Sequence, residues 1–422
     1  MCSIAWKSPI FESSKVANGM AGSFGPPSSP SRPQGLILPV FQDQYTLQFV
    51  TQLSQGTPKV TLNVVVDLGG KFLSVYSSQG CSSVSKKPIR CKSPQCSLAR
   101  QSVDYVRCHS NTCDFYTTSP ITHSATKSEL FSGVVTVQSS EVREPISGAW
   151  IAGPNLTARG FAVSCGTTTS VLHGLAKGAK GLAGLGRSGL SLVSQFSAAF
   201  QIPEIFVLYL SRSENGFIYF GNETYLLQTP LFYTPLLVNP GFSRGSLAAT
   251  DSDYFIDVKS IEIDGENVPI NKELLSIDKK NGVGGTKLST VVPFTVMETS
   301  IYKAFIGIYI KRAKAMNFLR VASVVPFSAC FNASTMPTGV GALTFSIPKV
   351  DLVLPNKLRW QMTRPDNILV YLPGNLVVCL TFADGGAKPR TSIVIGGKQL
   401  LYTVLQFDIP RSRLGFSAGL QV

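Results

Sequence analysis

The residues best placed for chemistry sit in two short segments far apart in the chain. Val64-Val65-Val66-Asp67-Leu68-Gly69-Gly70 reads as a buried strand that ends in an Asp-x-Gly turn, holding a carboxylate at the tip of an apolar strand. Gly284-Gly285-Thr286-Lys287-Leu288-Ser289-Thr290-Val291-Val292-Pro293 has a matching outline, with Ser289 at the place of the carboxylate. Two carboxylates facing each other share one proton, because like charges at short range cannot both ionise, and the pair then supplies an acid and a base that activate water. A serine hydroxyl can neither share that proton nor activate water near neutral or acid pH. Asp67 is therefore read as half of a pair whose other half, at Ser289, has been lost.

No other residues replace that pair. Asp278 and Glu298 lie eleven positions before and nine after Ser289, too far from the turn to take its place. His123 and His173 are isolated in sequence, and no Ser/His/Asp set or phosphate-cradling glycine loop stands out. Cys81, Cys91, Cys96, Cys108 and Cys113 crowd one early region, while Cys165, Cys330 and Cys379 are dispersed and Cys2 is terminal. The Cys91-x4-Cys96 and Cys108-x4-Cys113 spacings come near zinc-ligand spacing, but the gaps are wide and the surroundings loop-like, so disulfides are the reading and no metal or cofactor is expected. Three sequons, at Asn155, Asn222 and Asn332, are glycosylation candidates that fit a secreted glycoprotein. Met1 to Ala21 contains Lys7, Glu12 and Lys15 and no apolar core, so no signal peptide is read there.

The elements that must carry these residues are mostly strands. At 422 residues and 44 % hydrophobic the chain can bury a large core, and 37 Gly and 26 Pro with only 15 % charged residues suit a turn-rich β protein. Short apolar runs at 45–50, 60–66 and 131–138 alternate with turn signals. Helices are expected near Glu298, with Ile301, Phe305, Ile308 and Met316 on one face, and over 190–200. Residues 19–33 are rich in Gly, Pro and Ser and read as a disordered lead-in. Gly181-Leu-Ala-Gly-Leu-Gly186 and Ser392-Ile-Val-Ile-Gly-Gly397 are glycine-ended apolar strands, each a little over a hundred residues after its turn segment, which suggests two related β lobes. The expected divisions are a lead-in at 1–35 and lobes at 36–225 and 226–422. The excess of 38 basic over 24 acidic residues is spread along the chain in runs as short as Lys279-Lys280 and Lys311-Arg312. No stretch interleaves aromatics with arginines, so no nucleic acid is expected, and no apolar run reaches the length of a membrane span.

Taken together, these segments resemble the plant branch of the pepsin-like fold. More narrowly they resemble its inhibitor-type members: xyloglucan-specific endoglucanase inhibitor proteins, extracellular dermal glycoproteins, basic seed globulins and wheat xylanase inhibitors. The resemblance runs from about Leu38 to the C-terminus. It rests on Gly282-Val-Gly-Gly-Thr-Lys-Leu-Ser-Thr-Val-Val-Pro-Phe294 with Glu298-Thr-Ser-Ile-Tyr-Lys-Ala-Phe305, and on Arg320-Val-Ala-Ser-Val-Val-Pro-Phe-Ser-Ala-Cys-Phe331. Lys388-Pro-Arg-Thr-Ser-Ile-Val-Ile-Gly-Gly397 and Leu405-Gln-Phe-Asp-Ile-Pro-Arg-Ser-Arg-Leu-Gly-Phe-Ser417 complete it.

The resemblance implies an all-β, bilobal pepsin-like fold with a few short helices, no proteolysis, and an apoplastic protein. It implies a protein partner, a microbial endoglucanase or xylanase, blocked by arginines on two loops of the C-terminal lobe, which here match Arg320 and Arg390. That role suits the chemistry. A glycosidase cleft holds two carboxylates, and a guanidinium forks onto a carboxylate through two parallel hydrogen bonds. The alternative within the same branch is a storage or peptide-binding globulin using the old cleft. Several positions depart from the pattern. Leu68 and Gly70 replace the Thr and Ser that support an active aspartate, Ser74 stands where relatives have tryptophan, and 122–127, the flap region, offers no tyrosine. Ser77 and Tyr209 stand where relatives have cysteine. The resemblance pairs Cys330 with Cys379, leaves Cys165 without a partner, and makes Cys81 an addition. The chain also stops at Val422, before the tail in which relatives carry a further cysteine.

Overall fold

The computed structural model describes residues 33–76, 81–102, 106–143, 150–212, 216–221, 230–240, 252–337, 346–372 and 376–417. The chain is built mainly of β-strands, with helices few and short apart from Thr299–Ala315. The expected lead-in at 1–35 falls largely outside the described residues, and the expected lobe boundary at 225 and 226 falls wholly outside them.

Each half is organised around one threaded strand. In the first, Gly181–Gly184 runs parallel to Val60–Asp67, with Leu182 beside Val65 and Gly184 beside Asp67, and antiparallel to Leu73–Val75. In the second, Ile393–Ile395 runs parallel to Thr286–Leu288 and antiparallel to Thr295–Met297. Val60–Asp67 is covered on both faces near its end, and so reads as a continuous apolar run: Val64 and Val66 join the main core while Val65 packs on the other side with Val50, Leu182 and Val291. The glycines that end the two threaded strands are required by close approach. A Cβ on Gly184 would lie 2.4 Å from the Phe72 carbonyl oxygen, and one on Gly396 would lie 2.3 Å from the Phe294 carbonyl carbon. The internal echo read in the sequence is thus a repeated packing device.

A continuous set of antiparallel strands joins the halves. Gly35–Gln42 pairs with Gly216–Phe220, which pairs with Ile205–Tyr209, then Val404–Asp408, Arg413–Ser417 and Leu231–Leu237. At its centre Phe206 stacks on Phe407 with ring centres 4.5 Å apart. The long hairpin Ala125–Arg143 with Trp150–Gly166 and the hairpin strand Thr112–Thr118 extend the sheet in the first half.

The helix over Thr299–Ala315 starts where expected. The Glu298 carboxylate accepts from the Ser300 and Ile301 amides, an N-cap that satisfies two orphan donors. Its buried face differs in part from the expected one: Ile301 and Phe305 are buried, but Tyr302, Ile306, Tyr309 and Ala313 complete the stripe, and Ile308 and Met316 lie at its margin. The shorter helix is Leu192–Phe200, capped by Ser191. The strands expected at 60–66 and 131–138 lie within Val60–Asp67 and Ala125–Arg143. The strand expected at 45–50 begins only at Phe49. Asp43 accepts from both the amide and the hydroxyl of Thr46 and closes a turn that leaves Tyr45 at the surface.

Four disulfides staple the fold. Cys91 pairs with Cys108 and Cys96 with Cys113, so the two x4 spacings cross-link to each other across helix Pro94–Ser102 instead of holding a metal. Cys330 and Cys379 face each other in register on neighbouring antiparallel strands. The expectation that Cys165 lacks a partner is corrected: it bonds Cys81, the supposed addition. Leu73–Val75 runs parallel to the end of Trp150–Gly166 with Val75 beside Cys165, and the Cys81 sulfur lies 3.6 Å from the Val75 carbonyl oxygen. A bridge across a separation of 84 residues is worth on the order of 4 kcal/mol in the loop-entropy picture.

Candidate functional site

The two turn segments meet at the floor of a cleft of about 730 Å3. Asp67 ends its strand with the carboxylate packed deep and only a small surface toward the cleft; Oδ1 accepts from the Gly69 amide at 3.0 Å. Ser289 occupies the equivalent tip. Its hydroxyl oxygen accepts from the Val291 and Val292 amides, each at 3.3 Å, filling the role of a carboxylate as acceptor without its charge. Thr290 clasps the first segment: its hydroxyl donates to the Val66 carbonyl at 2.6 Å and accepts from the Leu68 amide at 3.1 Å. The reciprocal clasp cannot form, since Leu68 is a buried apolar side chain. Asp278 and Glu298 have other duties, in a turn with Lys280 and at the helix cap, and neither lines the cleft.

A residue missed in the sequence completes the floor. Asp253 projects beside the first turn, and its Oδ2 accepts from Lys287 Nζ at 2.6 Å, an ion pair about three-quarters buried on each side. A Cβ on Gly69 would lie 2.0 Å from Asp253 Oδ1 and 3.7 Å from Asp67 Oδ1, so this glycine is the only residue type that fits between the two carboxylates. Burial pushes the Asp67 carboxyl up to about 6, and the negative charge of Asp253 adds to the rise, while the Gly69 and Gly70 amides and Lys287 oppose it. Asp253 carries no strand signal of its own, and bonds made by its neighbours to distant segments hold it here: the Ser252 hydroxyl donates to the Gly69 carbonyl at 2.6 Å, the Arg187 amide donates to the Ser252 carbonyl at 2.9 Å, and the Tyr254 hydroxyl donates to the Leu185 carbonyl at 2.7 Å.

The walls are aromatic and aliphatic. Tyr76 is buried against Gly166, where a Cβ would lie 2.2 Å from its ring, and its hydroxyl bonds Ser74 and Thr117. Ser74, at the position where the resemblance has tryptophan, is itself buried. The flap segment at 122–127 has no tyrosine, but Tyr116 on the preceding strand, half exposed, lines the cleft together with Ile121 and His123. With one carboxylate at the tip of one turn and a hydroxyl at the other, the two turns hold no proton-sharing pair.

The two loop arginines lie elsewhere. Arg320 is exposed on the short strand Arg320–Val321, paired with Cys330–Asn332, and its Nη2 donates to the Ser328 carbonyl at 3.2 Å. Among the described residues this is the one hydrogen bond of its guanidinium, and it makes no ion pair with any of them. The adjoining loop presents Val325, 94 % exposed, with Leu319 also exposed. Arg390 is exposed on the loop before Ile393–Ile395, and its carbonyl accepts from the Gly284 amide at 2.8 Å, tying that loop to the second turn segment. Neither arginine lines the cleft. Asn155 is exposed on a strand, Asn332 caps a short helical turn through the Ser334 amide, and Asn222 lies outside the described residues.

The profile described as xylanase inhibitor N-terminal matches residues 49–222, and the one described as xylanase inhibitor C-terminal matches residues 253–418. Probable aspartic proteinase GIP2 of Nicotiana benthamiana is 44 % identical over 92 % of this chain and 90 % of its own. Basic 7S globulin 2 of Glycine max is 31 % identical over 93 % of this chain and 89 % of its own. Among solved structures, edgp superposes with a TM-score of 0.83 at 42 % identity, covering 93 % of this chain and 97 % of the other. Basic 7S globulin from soybean superposes at 0.74 with 31 % identity, covering 91 % and 96 %. With both halves matched in order and the threaded-strand turns present in each, the chain belongs to the xylanase-inhibitor family of pepsin-like folds.

Proposed function

We propose that this protein is a non-proteolytic inhibitor of microbial cell-wall glycoside hydrolases, acting outside the cell, with Arg320 and Arg390 entering the cleft of a xyloglucan-specific endoglucanase or xylanase. The observation that carries the reading is the state of Arg320: an exposed guanidinium, tethered by one bond to its own loop, with Leu319 before it and Val325 in the following turn also exposed. A permanently charged fork on a segment that also exposes apolar side chains suits an acidic sugar-binding cleft. The formal charge of +14 would speed encounter with an acidic enzyme, and four disulfides suit an oxidising, extracellular setting. The test is titration of a purified microbial xyloglucan-specific endoglucanase, and in parallel a xylanase, with this protein and with Arg320→Ala/Arg390→Ala. Stoichiometric inhibition that the folded double variant loses by about 100-fold or more supports the reading. Absence of inhibition of both enzymes by folded parent protein overturns it.

A second reading rests on the cleft. At about 730 Å3, with Phe72, Tyr76, Ile121, Leu182 and Val291 around Asp67, it has the size and lining to hold an extended apolar peptide, as a globulin with a binding role would. Saturable peptide binding without glycosidase inhibition would favour it.

A further inference from the structure

The basic excess is thin over most of the chain and concentrated at one place. From Leu68 to Val103 the sequence holds Lys71, Lys86, Lys87, Arg90, Lys92 and Arg100 and no acidic residue. Lys71 lines the cleft, and Lys86 lies over the Phe131 ring, 3.3 Å from its centre. The others, Lys87, Arg90, Lys92 and Arg100, are exposed.

The disulfides gather them. Arg90 and Lys92 flank Cys91, which bonds Cys108, and Arg107, also exposed, precedes Cys108. Arg100 Nη2 lies 3.1 Å from the Cys108 sulfur. Arg100 stands in the last turn of Pro94–Ser102, a helix whose Cys96 is tied to Cys113. Lys87 sits on the short strand Lys87–Pro88, beside Ser132 of the long hairpin. Cations from separate stretches are thus held around one bridge, where their mutual repulsion works against the fold. The acids of the adjoining strands serve other cations: Asp114 holds Lys127 Nζ at 2.9 Å, and Glu129 acts on Lys86 and Lys127. Lys87, Arg90 and Lys92 make no ion pair with any described residue.

We propose that this disulfide-held patch binds an acidic polysaccharide, a polymer with one carboxylate per sugar, whose successive carboxylates meet Lys87, Arg90, Lys92 and Arg100. Guanidinium and ammonium groups both pair with carboxylates, and several weak pairs along one polymer combine into useful avidity. A nucleic acid suits the patch less, because single strands are held by aromatic side chains on which bases stack. The sequence from Ser77 to Val103 has no Phe, Tyr or Trp. Binding here would retain the protein on a matrix of such polymers. It needs neither Arg320 nor Arg390, so it stands whether or not a glycosidase is inhibited.

The test is biolayer interferometry of the full-length protein on immobilised sodium polygalacturonate, with the fully methyl-esterified polymer as the same backbone without charge. The expected result is saturable binding to the acid polymer, at least about tenfold tighter than to the ester and weakening steadily with added salt. Lys87→Ser/Arg90→Ser/Lys92→Ser should weaken that binding at least about tenfold. Lys272→Ser/Lys279→Ser/Lys357→Ser removes the same charge from exposed positions elsewhere and should weaken it less than about threefold. A second measurement uses only the unaltered protein: bound polygalacturonate should protect Lys87 and Lys92 from acetylation, read by peptide mass spectrometry, and leave Lys272 and Lys279 reactive. Equal binding to the ester, equal losses in the two folded triple variants, no selective protection of Lys87 and Lys92, or tighter binding of single-stranded RNA at the same salt would each overturn the proposal.

Discussion

The turn at Asp67 and the turn at Ser289 share a backbone plan and differ in what sits at the tip. Both end a strand that runs parallel to a threaded strand, and in both the side chain at the tip accepts from main-chain amides just beyond it. At Asp67 the acceptor is a buried carboxyl whose pKa burial and Asp253 raise to about 6. At Ser289 it is a neutral hydroxyl, which has no charge to desolvate. The clasp between the turns is one-sided for the same reason: Thr290 serves both the Val66 carbonyl and the Leu68 amide, and Leu68 gives nothing back. The comparison teaches that the geometry of a paired-carboxylate site can outlive its charges, because main-chain amides ask only for an acceptor.

The largest expected effect is on the clasp. Thr290→Val keeps the shape and leaves the Leu68 amide and Val66 carbonyl without their hydroxyl partner, at a cost of about 2–4 kcal/mol in chemical denaturation. A loss under about 0.5 kcal/mol would show that the two halves do not depend on it. Asp67→Asn should act in the opposite direction. Because the folded-state value of Asp67 lies above its unfolded one, folding favours the protonated form. Its penalty is absent below about pH 4, grows through the window up to about 6, and is full above it. The variant should therefore gain about 2 kcal/mol at neutral pH and lose the fall in stability across that window, measured by denaturation at several pH values. An unchanged pH profile would mean that Asp67 is not buried as described. The smallest effect belongs to Ser289→Ala. The two amide bonds of 3.3 Å are long, so a loss of at most about 1 kcal/mol, without pH dependence, is expected.

A similar contrast separates the cleft from the arginine loops. In the cleft the Lys287 ammonium is already paired with Asp253, whereas Arg320 is exposed on its loop, with its Nη2 on the Ser328 carbonyl. If the protein's partner is a protein, the exposed loop is the side on which buried area can be gained.

Much of this was legible in the residues. The apolar strand before Asp67, the glycine-ended runs at 181–186 and 392–397 and the capped helix after Glu298 each follow from local pattern, since period, capping and glycine need only near neighbours. The strand misread at 45–50 failed to the Asp43 turn, a side-chain bond that competes locally with the ladder.

What the sequence by itself determined is the loss of the second carboxylate, the strand-rich composition, and the turn chemistry that places Asp67 and Ser289 at tips. What only the tertiary structure decided is which distant groups meet. Asp253 reaches Asp67 from another part of the chain, Cys81 finds Cys165 through parallel strand pairing, and Tyr76 packs on Gly166. Local pattern encodes which face of an element is buried. It does not encode which element lies against that face, because such contacts are fixed only when loop closure and core packing are solved for the whole chain at once.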